Sequence, residues 1–393
     1  MGRTKRAGRG KPSLPRPPPP EPIPAPEPVQ LTPHELLTEA AASIAAYDYD
    51  LAKDACNQAV EMAIEEGDGT IIRDAYEILG TIELELGELD SAREHFLLSV
   101  QHAASVPNPS PAPHLYLAQL STPEESLTHF SNALTIIQQK LAGIEIAKLG
   151  GDGGAGNGED AEEEGDLRRS ASRALVGMTE LYLTDLCFTD EAEQNCEKHL
   201  KLAVEIDPTD PEVYQTLASV RLSQSRPEEA KEAALKGWSL WRSVGADSID
   251  YPVTSTRMSL AKLLLELSLS SDALEILQQL ENEDDEDPEV WYLSGWAWWL
   301  LGEQRGDGEG RMGEDGEENK GECWSEGRLC LENYLRLDAL DPSISDPEQL
   351  AHVQELMSKY EAAGIVASTG HQEGGEDWED ESDGGDAEGM EVE

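Results

Sequence analysis

The sequence predicts an all-α chain of tandem helix pairs, on three observations. Apolar residues recur at helical spacing from Thr32-Pro33 to about Gly364, with no convincing strand. Within single units one small residue is answered by another 12 positions on: Ala40 and Ala52, Gly80 and Ala92, Ala218 and Ala230, Ala261 and Ala273. Such pairs let two antiparallel helices approach closely. Finally, three units end on an acid followed by proline, at Pro208, Pro288 and Pro342, where one helix stops and the next can start.

In chain order, residues 1–30 read as a disordered arm. Residues 1–16 carry six basic side chains and no acid, and 12–28 contain ten prolines, a polyproline-type composition. Thr32 and Pro33 then supply a cap and a proline at the first helical position. Helix pairs follow near 34–66, 74–105, 113–142, 170–207, 211–243, 254–281 and 289–341, with a capping helix at 346–363. The clearest unit reads Tyr76-x2-Leu79-Gly80, Gly87, Leu89 and Ala92-x3-Phe96. Ser126 and Phe130 stand 34 residues after its last pair, and Ala230 and Ala234 stand 34 after Cys196 and Leu200. That period belongs to tetratricopeptide repeats, so the expected architecture over 31–364 is a tetratricopeptide superhelix of about seven units. Extra residues separate the helices of units four and seven, and Pro123 sits in the turn of a degenerate third unit. The Gly- and acid-rich segments 150–166 and 303–322 lack apolar periodicity and are expected to be flexible loops. Residues 365–393 are expected to be an acidic disordered tail.

Charge narrows the function. The 393 residues carry 80 Asp and Glu against 29 Lys and Arg, a net −51. Setting aside 1–16, 371–393 and the two inserted segments still leaves −34 on the helical body. Direct binding to nucleic acid or to an anionic membrane is disfavoured by repulsion, and a cationic partner is favoured. The longest apolar run, 291–301, spans 11 residues, against about 20 for a membrane helix. Five cysteines without a CxxC pair, behind a polar N-terminus, suggest reduced thiols in a soluble intracellular protein.

No catalytic, metal-binding or cofactor-binding constellation emerges. GDGGAG at Gly151–Gly156 matches a dinucleotide-binding spacing, but no strand precedes it and the acids that follow would repel phosphate. Cys323 and Cys330 lack partner ligands and read as small core residues. Asp74, Glu77, Glu85, Glu180, Glu212, Glu266 and Glu289 fall on or near the inward positions of first helices, where they would make a cation-attracting groove. Trp291 and Trp298 take the spacings that face the paired helix. Trp296 and Trp299 project to the other side, where they either line the groove and stack on a partner's Arg or Lys or lie under the 303–322 segment. First helices that clamp the acidic C-terminus of heat-shock chaperones present Lys, Asn and Arg. The corresponding positions here are Leu37, Ala41, Glu77, Thr81, Gln215 and Ser219, with Lys262 the only base, so that clamp is absent.

Taken together, a basic Pro-rich arm, an acidic repeat body and the tail EDWEDESDGGDAEGMEVE resemble the fungal dedicated assembly chaperones of large-subunit ribosomal protein four. The resemblance spans nearly the whole chain. It implies a non-enzymatic chaperone that captures a newly made basic ribosomal protein by an extended internal loop. It also implies escort of that client from cytoplasm to nucleus for large-subunit (60S) assembly, with any import receptor engaged through the client. Two other readings stay open at the level of residues: a repeat scaffold subunit whose acidity serves solubility, and an acidic histone chaperone.

Overall fold

The computed structural model describes residues 31–150, 158–248, 251–305, 319–343 and 346–368. Among them stand fifteen α-helices and no strand. The chain divides into two compact units, one ending at Pro107 and the other beginning at Asn108.

The first unit holds two helix pairs, α1 (Pro33–Ala45) with α2 (Tyr49–Glu66) and α3 (Gly69–Glu85) with α4 (Leu89–Ala103). Thr32 caps α1 through a reciprocal box with Glu35: the Glu35 amide donates to Thr32 Oγ1, and the Thr32 amide donates to the Glu35 carboxylate at 2.8 Å. Asp48 and Asp68 cap α2 and α3. The second unit continues with α5 (Ala112–Gln119), α6 (Pro123–Gly150), α7 (Gly158–Leu183), α8 (Ala192–Ile206), α9 (Pro211–Ser223), α10 (Pro227–Trp241), α11 (Thr254–Glu266), α12 (Ser270–Glu283), α13 (Pro288–Arg305), α14 (Lys320–Leu340) and α15 (Pro347–Ala362). They pair in sequence order, α5 with α6 through α13 with α14, and α15 docks on α14. These are the seven tetratricopeptide-type pairs and the capping helix that the sequence predicts.

The small residues do what their spacing implied. Ala40, Ala52, Ala92, Ala218, Ala230, Ala261 and Ala273 are all fully buried, and a methyl on Gly80 would come within 2.7 Å of the Phe96 ring. Turn chemistry repeats as well. Tyr47, Gly87, Ser225 and Ser268 are the central residues of three-residue turns, and each has a φ between 59° and 74°. In each case the following amide returns to a carbonyl five residues back, as in Glu88 to Glu83 at 2.8 Å and Arg226 to Arg221 at 2.8 Å. This left-handed closure satisfies carbonyls that the helix end leaves open.

The structure shortens both expected loops. Helix α7 begins at Gly158, so 158–166 is helical, and 151–157 lies outside the described residues. Packing explains the extension, because Leu167 is buried and Glu164 accepts from Arg168 one turn on at 2.8 Å. Similarly, α13 runs to Arg305, and α14 starts on a capping box of Asn319 and Glu322. The sequence expectations for 1–30, 306–318 and 369–393 lie outside the described residues.

Candidate functional site

In the second unit, first helices touch one another from pair to pair: α7 meets α9, α9 meets α11, and α11 meets α13. Side chains on that shared face therefore come from helices far apart in sequence. Glu180 of α7 and Glu212 of α9 are close enough to interact. The Glu180 carboxyl is held above the usual carboxylate range, first by the surrounding protein, which displaces water, and second by the Glu212 charge. Yet Glu180 keeps solvent access. Neighbouring protein atoms thus crowd the carboxyl while it stays open to water. Neither carboxylate forms an ion pair with a described residue. Glu212 accepts instead from Thr256 Oγ1 of α11 at 3.2 Å, which ties α9 to α11.

The other predicted acids divide by circumstance. Glu266, near the end of α11, is exposed and has no ionic partner among the described residues. Glu289 of α13 is paired at 2.7 Å with Lys262 of α11, the one base that the sequence placed among the groove positions. In the first unit Asp74, Glu77 and Glu85 all lie on α3. Asp74 binds Arg73 at 2.6 Å, and the buried Arg73 donates to the Pro107 carbonyl at 3.2 Å, so this acid also serves the unit's own structure. Glu77 is half-buried, and Glu85 is exposed at the helix end.

The tryptophans require a correction. Trp299 does not stand clear of the paired helix. It stacks on Trp324 of α14 with centroids 4.2 Å apart and planes 6° apart, meets Tyr360 of α15 edge-on at 5.2 Å, and lies under Lys359. Trp296 stacks on Tyr292 and meets His352 of α15 edge-on at 5.7 Å, while Tyr292 Oη lies 3.0 Å from His352 Nδ1. Helix α15 thus contacts both partly exposed rings, an arrangement set by a helix some fifty residues away that local spacing could not reveal. Trp291 is buried and donates to the Asp285 carbonyl at 2.7 Å, and the Trp298 Cβ packs close to Gly327 of α14, as expected.

Chemistry beyond charge is sparse. Among the described residues no group of three or more His, Cys, Asp or Glu could hold a metal ion, and no helix is long and apolar enough to cross a membrane. Burial pushes the Cys56 thiol up to about 12, which suits packing rather than reactivity.

No family model matches the chain. Curated relatives do. A Schizosaccharomyces pombe protein described as a probable assembly chaperone of rpl4 is 34% identical over 251 residues, covering 63% of this chain and 70% of the relative. An Emericella nidulans protein of the same description is 30% identical over 368 residues, covering 91% and 86%. The chain belongs to the family of rpl4 assembly chaperones. A solved structure agrees: Assembly Chaperone of RpL4 (Acl4), residues 1–338, is 33% identical with a TM-score of 0.65, covering 71% of this chain and all of that one. These relatives are described as chaperones, not enzymes.

Proposed function

We propose that the chain is a dedicated chaperone of rpl4 and holds an extended basic segment of that protein against its acidic first-helix face. The observation that carries the proposal is the Glu180–Glu212 pair. Two like charges stand within interaction range on adjacent first helices, and neither is ion-paired with a described residue, although Arg169 and Arg173 border the same cavity as Glu212. That arrangement is unfavourable in the free protein and becomes favourable when a cation enters. A basic ribosomal protein without its RNA carries many such cations, and fixed carboxylates on stacked helices offer them a long, rigid counter-surface. By keeping the client soluble the chain would escort it from cytoplasm to nucleus for 60S assembly, with an import receptor reached through the client and no direct contact with nucleic acid or membrane.

The test is recovery of the tagged chain at moderate salt. One basic ribosomal protein, rpl4, should co-elute in equal amount. Binding should weaken steeply from about 50 to about 500 mM salt, since exposed attractions are screened over about 8–10 Å near physiological salt. Co-eluting histones, a set of scaffold subunits, or a salt-independent affinity would overturn the proposal.

A further inference from the structure

Five of the seven helix pairs turn in three residues, whereas α7 and α8 are joined by eight, 184–191. The longer connection is ordered by its own hydrogen bonds. The Leu186 amide donates to the Leu181 carbonyl at 2.8 Å, the Thr189 amide and hydroxyl both donate to the Leu186 carbonyl, and the Ala192 amide donates to the Thr189 carbonyl. Successive turns hold Phe188 out at the apex, 98% exposed. The chain has three phenylalanines, and the other two, Phe96 and Phe130, are core residues. On this loop the aromatic forgoes burial within the chain and stays open to contact.

Two further features define what it contacts. A cavity of about 310 Å³ opens at the base of the loop, where Leu183, Ala192, Cys196 and Val220 share the walls with the polar Glu193, Ser223 and Gln224. Glu193 lines it, and Asp185, Asp190 and Glu191 of the same loop are exposed nearby in the chain, in a stretch from residue 174 to 197 that contains no Lys or Arg. Of the bases on the neighbouring helices, Arg221 is held by Glu197, and Arg226 by Glu197 and Glu229. An apolar projection on a loop whose carboxylates have no ionic partner among the described residues complements an apolar side chain flanked by basic residues.

We propose that the Phe188 loop and the cavity at its base form a second docking site, which takes an apolar residue carried on a basic segment of the client. This rests on the proposed rpl4 function. It adds a contact whose strength comes from burial, not charge, and so supplies the side-chain selectivity that a purely acidic face lacks.

Cys187 provides a direct probe, because it is exposed while the other four cysteines are buried. In the full-length chain, maleimide labelling of Cys187 should slow several-fold when recombinant rpl4 is added at saturation. Phe188→Ala should weaken rpl4 binding about tenfold or more, Phe188→Leu should restore most of it, and neither should change the melting temperature. The variant should also lose the binding that the wild type retains at high salt. A complex that forms without protecting Cys187, or binding unchanged in Phe188→Ala, would overturn this site and leave the acidic face standing. Absence of any complex would overturn the function as well. A wild-type dimer that Phe188→Ala converts to monomer would make the occupant a second copy and refute the assignment.

Discussion

Reversing two carboxylates on the first-helix face, Glu212→Lys with Glu266→Lys, should abolish most rpl4 binding while an equal reversal elsewhere does not. The matched control is Glu228→Lys with Glu232→Lys on the exposed side of α10, a second helix. Each pair changes the net charge of −51 by four, so long-range steering falls equally. The local effect differs. For a client cation about 8 Å away in an effective dielectric of about 40, one unit pair is worth about 1 kcal/mol. Reversal swaps attraction for repulsion, about 2 kcal/mol per site, and screening over a Debye length leaves about 0.8. Two sites then remove about 1.5 kcal/mol, slightly more than tenfold in affinity. From α10, about two helix diameters away, the same sum falls below about 0.1 kcal/mol. The fold should survive, because the groove pair loses one described hydrogen bond, Thr256 to Glu212, while relieving repulsion on Glu180. Titration calorimetry at physiological salt, with circular dichroism to verify folding, measures both effects. Equal losses in the two pairs would refute a localised face and leave only diffuse attraction.

Two other outcomes follow from the packing and titration of the second unit. Gly327→Ala should destabilise the C-terminal end by about 1–3 kcal/mol, read as an earlier melting of tryptophan fluorescence; a methyl there collides with Tyr360 Oη and lies 3.1 Å from both the Gly295 carbonyl and the Trp298 Cβ. An unchanged melt would show that α15 is not seated against α14. Glu180→Gln should raise the melting temperature at neutral pH by about 1 °C or less, since water screens an exposed carboxylate, yet weaken client binding. Because the folded-state pKa is raised, the stability contributed by Glu180 is present below the ordinary carboxylate value of about 4.3 and lost as pH rises through the raised value. The melting advantage of the Gln variant should therefore grow over that interval, and a constant advantage across pH would contradict the assignment.

The repeat architecture was legible because its determinants are local. A capping Thr32, prolines at helix starts and small residues 12 apart constrain the chain over a single turn or a single pair, and the structure uses each of them. What escaped was set by distant partners. Residues 158–166 have loop-like composition, yet helix α7 reaches back through them because Leu167 is buried and Arg168 pairs with Glu164. Trp299 shares helical spacing with residues of an open face, but α14 and α15 pack against it. Glu289 and Glu212 look alike in the sequence, and only the position of Lys262 on a neighbouring helix separates a neutralised carboxylate from an unpaired one. Phe188 carried no periodic signal at all, since a loop apex has none.

The crowding of aromatics in the last helix pair gains a different meaning from the chain length between its helices. Fourteen residues separate Arg305 from Lys320, where five other pairs use three. In an unfolded chain, closing the longer loop loses more conformational entropy, by (3/2)RT ln(14/3), or roughly 1.4 kcal/mol. Trp291, Trp299, Trp324, Tyr334 and Tyr360 concentrate apolar area in the same pair and its capping helix, enough to offset that deficit several times over. The tryptophans are therefore best understood as compensation for distance along the chain. They allow a long insertion to be carried at this position without the pair coming apart.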